Sequence, residues 1–180
     1  MSIENYEEIK GFIGFTDDTA RLLVGLGPVF EKHGAAITER FYATLGSNEK
    51  TAALVEGRVD KLKTTHGAWM KSLFAGEYGE AYYESRVRIG NAHVVQNIPP
   101  HFVEAVFNAI RTDGVAAIGE EMADSPDRVA SERAFITILD IDLLLINLTY
   151  AEERISRLTQ FTGFSRKLIE RCITQGSKKK

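Results

Sequence analysis

Two histidines carry the chemistry this sequence is able to do. His93 sits in YYESRVRIGNAHVVQNIPP, on a helical face it shares with Tyr82, Arg86 and Ile89, with the small residues Gly90 and Ala92 beside it. A neutral imidazole is a good ligand for iron, and an apolar slot that lets a flat group approach the backbone suits a porphyrin. The same spacing also fits a partly buried histidine bonded to a carbonyl, and spacing alone leaves both readings open. His66 interrupts the strongest apolar stripe of the preceding helix, formed by Val59, Leu62, Trp69 and Leu73, and Gly67 follows it. A histidine facing a core needs a partner, because an unsatisfied polar group there costs roughly 1–3 kcal/mol. A metal, a bound ligand or the hydroxyl of Tyr42 can fill that role. Two histidines on different helices can flank one planar cofactor. They do not make a zinc site, which wants three or four close ligands in HExxH or CxxC patterns that this chain lacks. Gly11, Gly14, Gly25 and Gly27 do not form a dinucleotide fingerprint.

The elements that must position these residues read as helices throughout. A short segment over 2–10 is followed by the breaker-rich GFIGF. Thr16, Asp17 and Asp18 then give an N-cap with an acidic first turn, in a helix ending near Gly27. Pro28 opens the next helix, whose stripe of Phe30, Ile37, Phe41 and Leu45 is broken only by His33 and stops at Gly46. Further helices are expected over about 48–55, 57–74, 79–96 and 100–122, the last started by Pro99 and Pro100. Ser125 and Pro126 are expected to cap and begin a long helix through Phe135, Ile138, Ile141, Leu145 and Leu148, ending near 150–160. A last amphipathic segment covers about 152–174. No segment alternates like a strand, so seven or eight helices with short connections predict a globin-like or bundle architecture.

The totals agree with one helical domain. The chain has 180 residues, 44% hydrophobic and 26% charged, with four prolines, which is the composition of a folded globular protein. A net charge of -3 gives no general electrostatic reason to hold nucleic acid. Cys172, the one cysteine, cannot form an internal disulfide and reads as inert, with a mild preference for a reducing cytosol. The start, MSIENYEEIK, has no apolar signal core, and ITILDIDLLLINLTY carries two aspartates and is too short for an ordinary membrane span. Lys178–Lys180 read as a solvated end.

With these elements in place the chain resembles the globin domain of globin-coupled sensors, haem proteins related to protoglobins. The stretches that carry the resemblance are FIGFTDDTARLL, ITERFYATL and RVDKLKTTHGAWMKSLFAGEYGEAYYESRVRIGNAHVVQNIPPHFV. They cover about residues 12–103. The order of a tryptophan helix, a GEY turn, an RIG…H segment and a proline-led helix is specific to that family. The resemblance implies an all-α, globin-like fold with a short extra N-terminal helix. It implies haem b held by His93 as proximal ligand, with Tyr42 in RFY as the distal donor to bound gas. No CxxCH motif is present, which agrees with haem held without thioether links.

One departure is visible. Typical members hold a small, polar or aliphatic residue where this chain has His66. A histidine there can itself ligate iron, giving a six-coordinate haem between His93 and His66. O2, CO or NO would then displace His66. Leu62, Trp69, Ile89 and Ile98 are expected to line the haem, Phe41 to belong to the core, and Arg86 to be solvated surface charge rather than a propionate partner. His33 is expected as a satisfied core-edge histidine and His101 to face water. The expected organisation is a sensor domain over 1–160 and the start of a linker helix with a basic tail over 161–180. The resemblance implies a cytoplasmic homodimer through the last two long globin helices, signalling to a C-terminal output domain beyond this chain, with no enzymatic role. The rivals are a redox globin, for example one that dioxygenates nitric oxide, a haem-free structural or regulatory globin fold, and a plain helical bundle that forms a dimer.

Overall fold

The computed structural model describes residues 2–176 and, among them, nine helices and no strand. The basic end Lys178–Lys180 lies outside the described residues. Helix α1 (Ile3–Phe12) is the extra N-terminal element, capped by reciprocal bonds between Ser2 and Asn5. Thr16 and Thr19 cap α2 (Asp17–Gly25) in the same way, with Asp17 and Asp18 facing the positive end of the helix dipole. Pro28 sits in the first turn of α3 (Gly27–Gly46), and Asn48 caps the short α4 (Glu49–Val55). Then follow α5 (Val59–Ser72), α6 (Glu80–Val95), α7 (Pro100–Glu121), α8 (Arg128–Thr162) and α9 (Arg166–Gly176).

Two boundaries differ from expectation. The long helix begins at Arg128 with Asp127 as its cap, because Ser125 serves the connection by accepting from the Asp127 amide. It also runs unbroken to Thr162, since residues 150–160 contain neither glycine nor proline. Gly163, at φ 71°, ends it, and the segment expected over 152–174 is divided there. Beyond that turn α9 folds back on α8. Arg166 donates to both oxygens of Glu152, and Ile169 is buried.

The core forms around α8. Phe135, Ile138, Leu139, Ile141 and Leu145 are withdrawn from water and meet α2, α6 and α7, while α3 lies across α5 and α7. By length and composition α8 could cross a membrane, yet half of its apolar window is buried inside the fold, as in a core helix. Two glycines let neighbouring helices approach it. At Gly90 a Cβ would lie 2.6 Å from the Thr149 hydroxyl, and at Gly114 it would lie 2.2 Å from the Phe135 ring. Gly90 was expected to open space beside His93 for a flat ligand, but it spends that space on the α6–α8 contact. Gly67 likewise borders a groove between α3 and α5 on the other side of α5.

Gly114→Ala tests this packing. Helix propensity favours alanine by about 1 kcal/mol, but the Phe135 ring is wholly buried and overpacking costs roughly 1–3 kcal/mol. The urea midpoint is expected to fall. Gly67→Ala, with open space around its Cβ, is expected to raise it.

Candidate functional site

The ends of α3, α4, α5, α6 and α7 enclose one overwhelmingly apolar cavity of about 210 Å³. His66 and Leu62 reach it from α5 together with Trp69, His93 and Ile89 from α6, Tyr42 from α3, and Ile98 from the turn before α7. The structure therefore brings all seven nominated residues to one place. Further walls come from residues not expected there. Phe41 lines the cavity instead of belonging only to the core, stacking on the His66 ring at 4.7 Å. Leu54 and Val55 close one side from α4, and Phe102, Val103, Val106, Phe107 and Ile110 another from α7. That last set recurs every three or four residues, a pattern that reports only an inward face.

The two histidines are held differently. On His93, Nδ1 lies 2.8 Å from the Ile89 carbonyl, one turn back on α6. A carbonyl only accepts, so Nδ1 carries the proton and Nε2 keeps its lone pair. Burial lowers the pKa of His93 from its ordinary value, with the Ile89 bond opposing in part. On His66, Nδ1 lies 2.9 Å from the Thr38 hydroxyl, so Thr38 fills the role that Tyr42 was a candidate for. Tyr42 meets His66 edge-on, with ring centroids 6.0 Å apart, and burial pushes its phenol up to about 12. Burial also brings the His66 pKa down to about 4, so the ring is neutral at pH 7. Its Nε2 is buried without a hydrogen-bond partner, alone in this respect among the described side-chain nitrogens and oxygens.

Beneath the cavity lies a buried ion pair. Arg86 is 2% exposed, contrary to the expectation of a solvated surface charge, and its Nε donates to Asp142 Oδ2 at 2.9 Å. Its face of α6 also carries Tyr82, Ile89 and His93, and that face turns inward. The Trp69 indole donates to the same carboxylate at 2.7 Å, and the Tyr82 hydroxyl at 2.6 Å. Arg86 also donates to Ser72, and its guanidinium lies 3.7 Å from the centre of the Tyr82 ring. Burial raises the Asp142 carboxyl above its ordinary value, although Arg86, Tyr82 and Trp69 draw it the other way. Three donors converge on it, so the carboxylate is the form this site holds.

The other histidines take other roles. His33 donates to Glu121, as expected of a satisfied core-edge histidine, and His101 is exposed. His33, Glu120 and Glu121 are close enough to hold a metal ion, but the Glu121 carboxylate already pairs with Lys32 as well as His33.

The donor set fits a haem. Two neutral imidazoles from separate helices, one with an orphaned buried nitrogen, share an apolar chamber. The chamber is smaller than the roughly 300–1,000 Å³ of ordinary ligand pockets, so its walls must part to admit a macrocycle.

Comparison with known proteins supplies the family. The Protoglobin family model matches residues 3–165. The chain belongs to that family. It is 31% identical over 159 residues to the haem-based aerotactic transducer HemAT of Halobacterium salinarum, a match covering 82% of this chain and 32% of that protein. It spans about a third of that relative's length. Among solved structures it is similar to the globin domain of a Geobacter sulfurreducens globin-coupled sensor. That match has 34% identity and a TM-score of 0.76, and covers 80% of this chain and 96% of the other. Family membership implies the capacity to bind haem.

Removing the buried anion tests the site's foundation. Asp142→Ala leaves Arg86 buried without its partner, at an expected cost of about 3–5 kcal/mol in urea denaturation. An unchanged midpoint would show that the ion pair is not structural.

Proposed function

We propose that this chain is a haem-based gas or redox sensor domain in which His93 is the proximal ligand and His66 the sixth ligand, displaced by O2, CO or NO. The observation that carries this reading is the buried, unpartnered Nε2 of His66 in the chamber that His93 also lines. A bound haem would supply an iron centre that changes oxidation state and takes up a diatomic gas. The Ile89 carbonyl accepts from Nδ1–H of His93, which supports a ligating Nε2. Apolar walls from α4 and α7 offer water few hydrogen-bond partners there. His66 must give way before a gas binds, which lowers apparent affinity by the fraction of time the site is open. Tyr42 lies beside His66 and remains a neutral hydroxyl able to donate to the gas.

Release of His66 would act on α5, whose Trp69 lies one turn further on and is bonded to Asp142 of α8. That bond offers a route from the cavity to α8. There Val129, Leu144, Leu158 and Phe161 are individually exposed, apolar side chains that a second copy would cover in a dimer formed through α7 and α8. An output domain C-terminal to residues 161–176, and a cytoplasmic setting in which the exposed Cys172 stays reduced, belong to the same proposal. The role is sensory rather than catalytic, in keeping with relatives described as a transducer and a sensor.

Optical spectra of the haem-loaded ferric and ferrous protein test the ligand set. Low-spin six-coordinate bands are expected, converting to high-spin bands in His66→Ala, with haem lost or weakly held in His93→Ala. An unchanged spectrum in His66→Ala would refute the sixth-ligand assignment.

A further inference from the structure

Away from the first turns, most helical threonines among the described residues share a habit that Thr38 breaks. Thr44, Thr64, Thr65, Thr137 and Thr149 each donate to the carbonyl four residues back on their own helix. This is the ordinary local bond of a helical hydroxyl. Thr38, in the middle of α3 and 6% exposed, turns its hydroxyl to Nδ1 of His66 on α5 instead. That bond crosses between two helices and ends on the ring whose other nitrogen is the orphan.

The direction of the bond matters. If the hydroxyl donated to Nδ1, the proton of His66 would sit on Nε2, as a buried N–H without an acceptor. Orphaned N–H groups are rarer in proteins than under-satisfied acceptors. If Nδ1 donates, Nε2 presents a bare lone pair, the form a metal requires. Thr38 also lines the α3–α5 groove of about 700 Å³, where water can accept its own proton.

We propose that Thr38 is the positioning residue of the distal site: its hydroxyl accepts from Nδ1–H of His66 and so turns the Nε2 lone pair to the cavity. Thr38 thereby stands to His66 as the Ile89 carbonyl stands to His93, with one difference. A carbonyl only accepts, whereas a hydroxyl can also donate, so His66 is held in a ligating form less rigidly than His93. The proposal rests on the reading of His66 as sixth ligand.

The test compares haem-loaded Thr38→Val, which removes the hydroxyl at nearly constant volume, with Thr38→Ser, which keeps it, and with His66→Ala. The readouts are spin state in optical spectra and the rate of CO binding. The valine variant is expected to gain high-spin character and bind CO about tenfold faster, the change one lost hydrogen bond produces, while serine restores the parent behaviour. A valine variant like the parent, beside an altered His66→Ala, overturns the role of Thr38 and leaves the ligand assignment standing. The same holds if valine becomes more fully low-spin, or if serine and valine are altered alike. A His66→Ala spectrum like the parent's overturns the ligand assignment and the Thr38 role with it. Should the valine variant fail to fold, Thr38→Ala takes its place against serine with the same outcomes.

Discussion

Asp142 puts a carboxylate into the middle of the longest helix, fully shielded from water, and donors from two other helices converge on it. Trp69 comes from α5, and Tyr82 and Arg86 come from α6. A charge in that position depends on such donors, because desolvating it costs several kcal/mol that the bonds must offset. The geometry of the cavity follows from this requirement. Trp69 is a wall of the chamber and lies three residues from His66. Arg86 lies on the face of α6 that ends in Ile89 and His93. The anchor thus sets how α5 and α6 stand relative to α8, and with them both histidines.

The anchor also explains where the fold has freedom. Helix α5 packs chiefly against α3, and Trp69 and Ser72 join it to the Arg86–Asp142 pair. In contrast α6 lies tightly along α8, at a contact so close that Gly90 has no room for a Cβ. The His93 side is therefore the more closely packed against the core helix, and the His66 side the less closely packed. A sensor in which His93 stays and His66 leaves needs that asymmetry.

Much of this was legible in the sequence for a plain reason. Caps, prolines and apolar periodicity are local, and they locate α2, α3, α6 and α7 closely. Within the stripes of α5 and α6, Leu62, His66, Trp69, Ile89 and His93 are the members that the structure places around the cavity. What failed depended on partners distant in the chain. Arg86 shares its inward face with Ile89 and His93, so its burial was visible in the pattern. Nothing local pairs it with Asp142, and an unpaired arginine reads as surface charge. Asp142 lies in turn on the apolar face of Ile138 and Leu145, while Asp140 faces out toward Arg111. Thr38 carried no signal, since a helical threonine ordinarily bonds within its own helix. Gly90 misled because a small residue shows that something comes close, not which neighbour does.

The proposed sensor requires both imidazoles to meet one iron. A crystal structure of the haem-loaded protein, in ferric and ferrous states, tests this most directly. Iron is expected to be bonded to Nε2 of His93 and of His66, with Nδ1 of each still held by Ile89 and Thr38. Iron bonded to His93 alone in both states, with His66 Nε2 turned from it, would contradict the account.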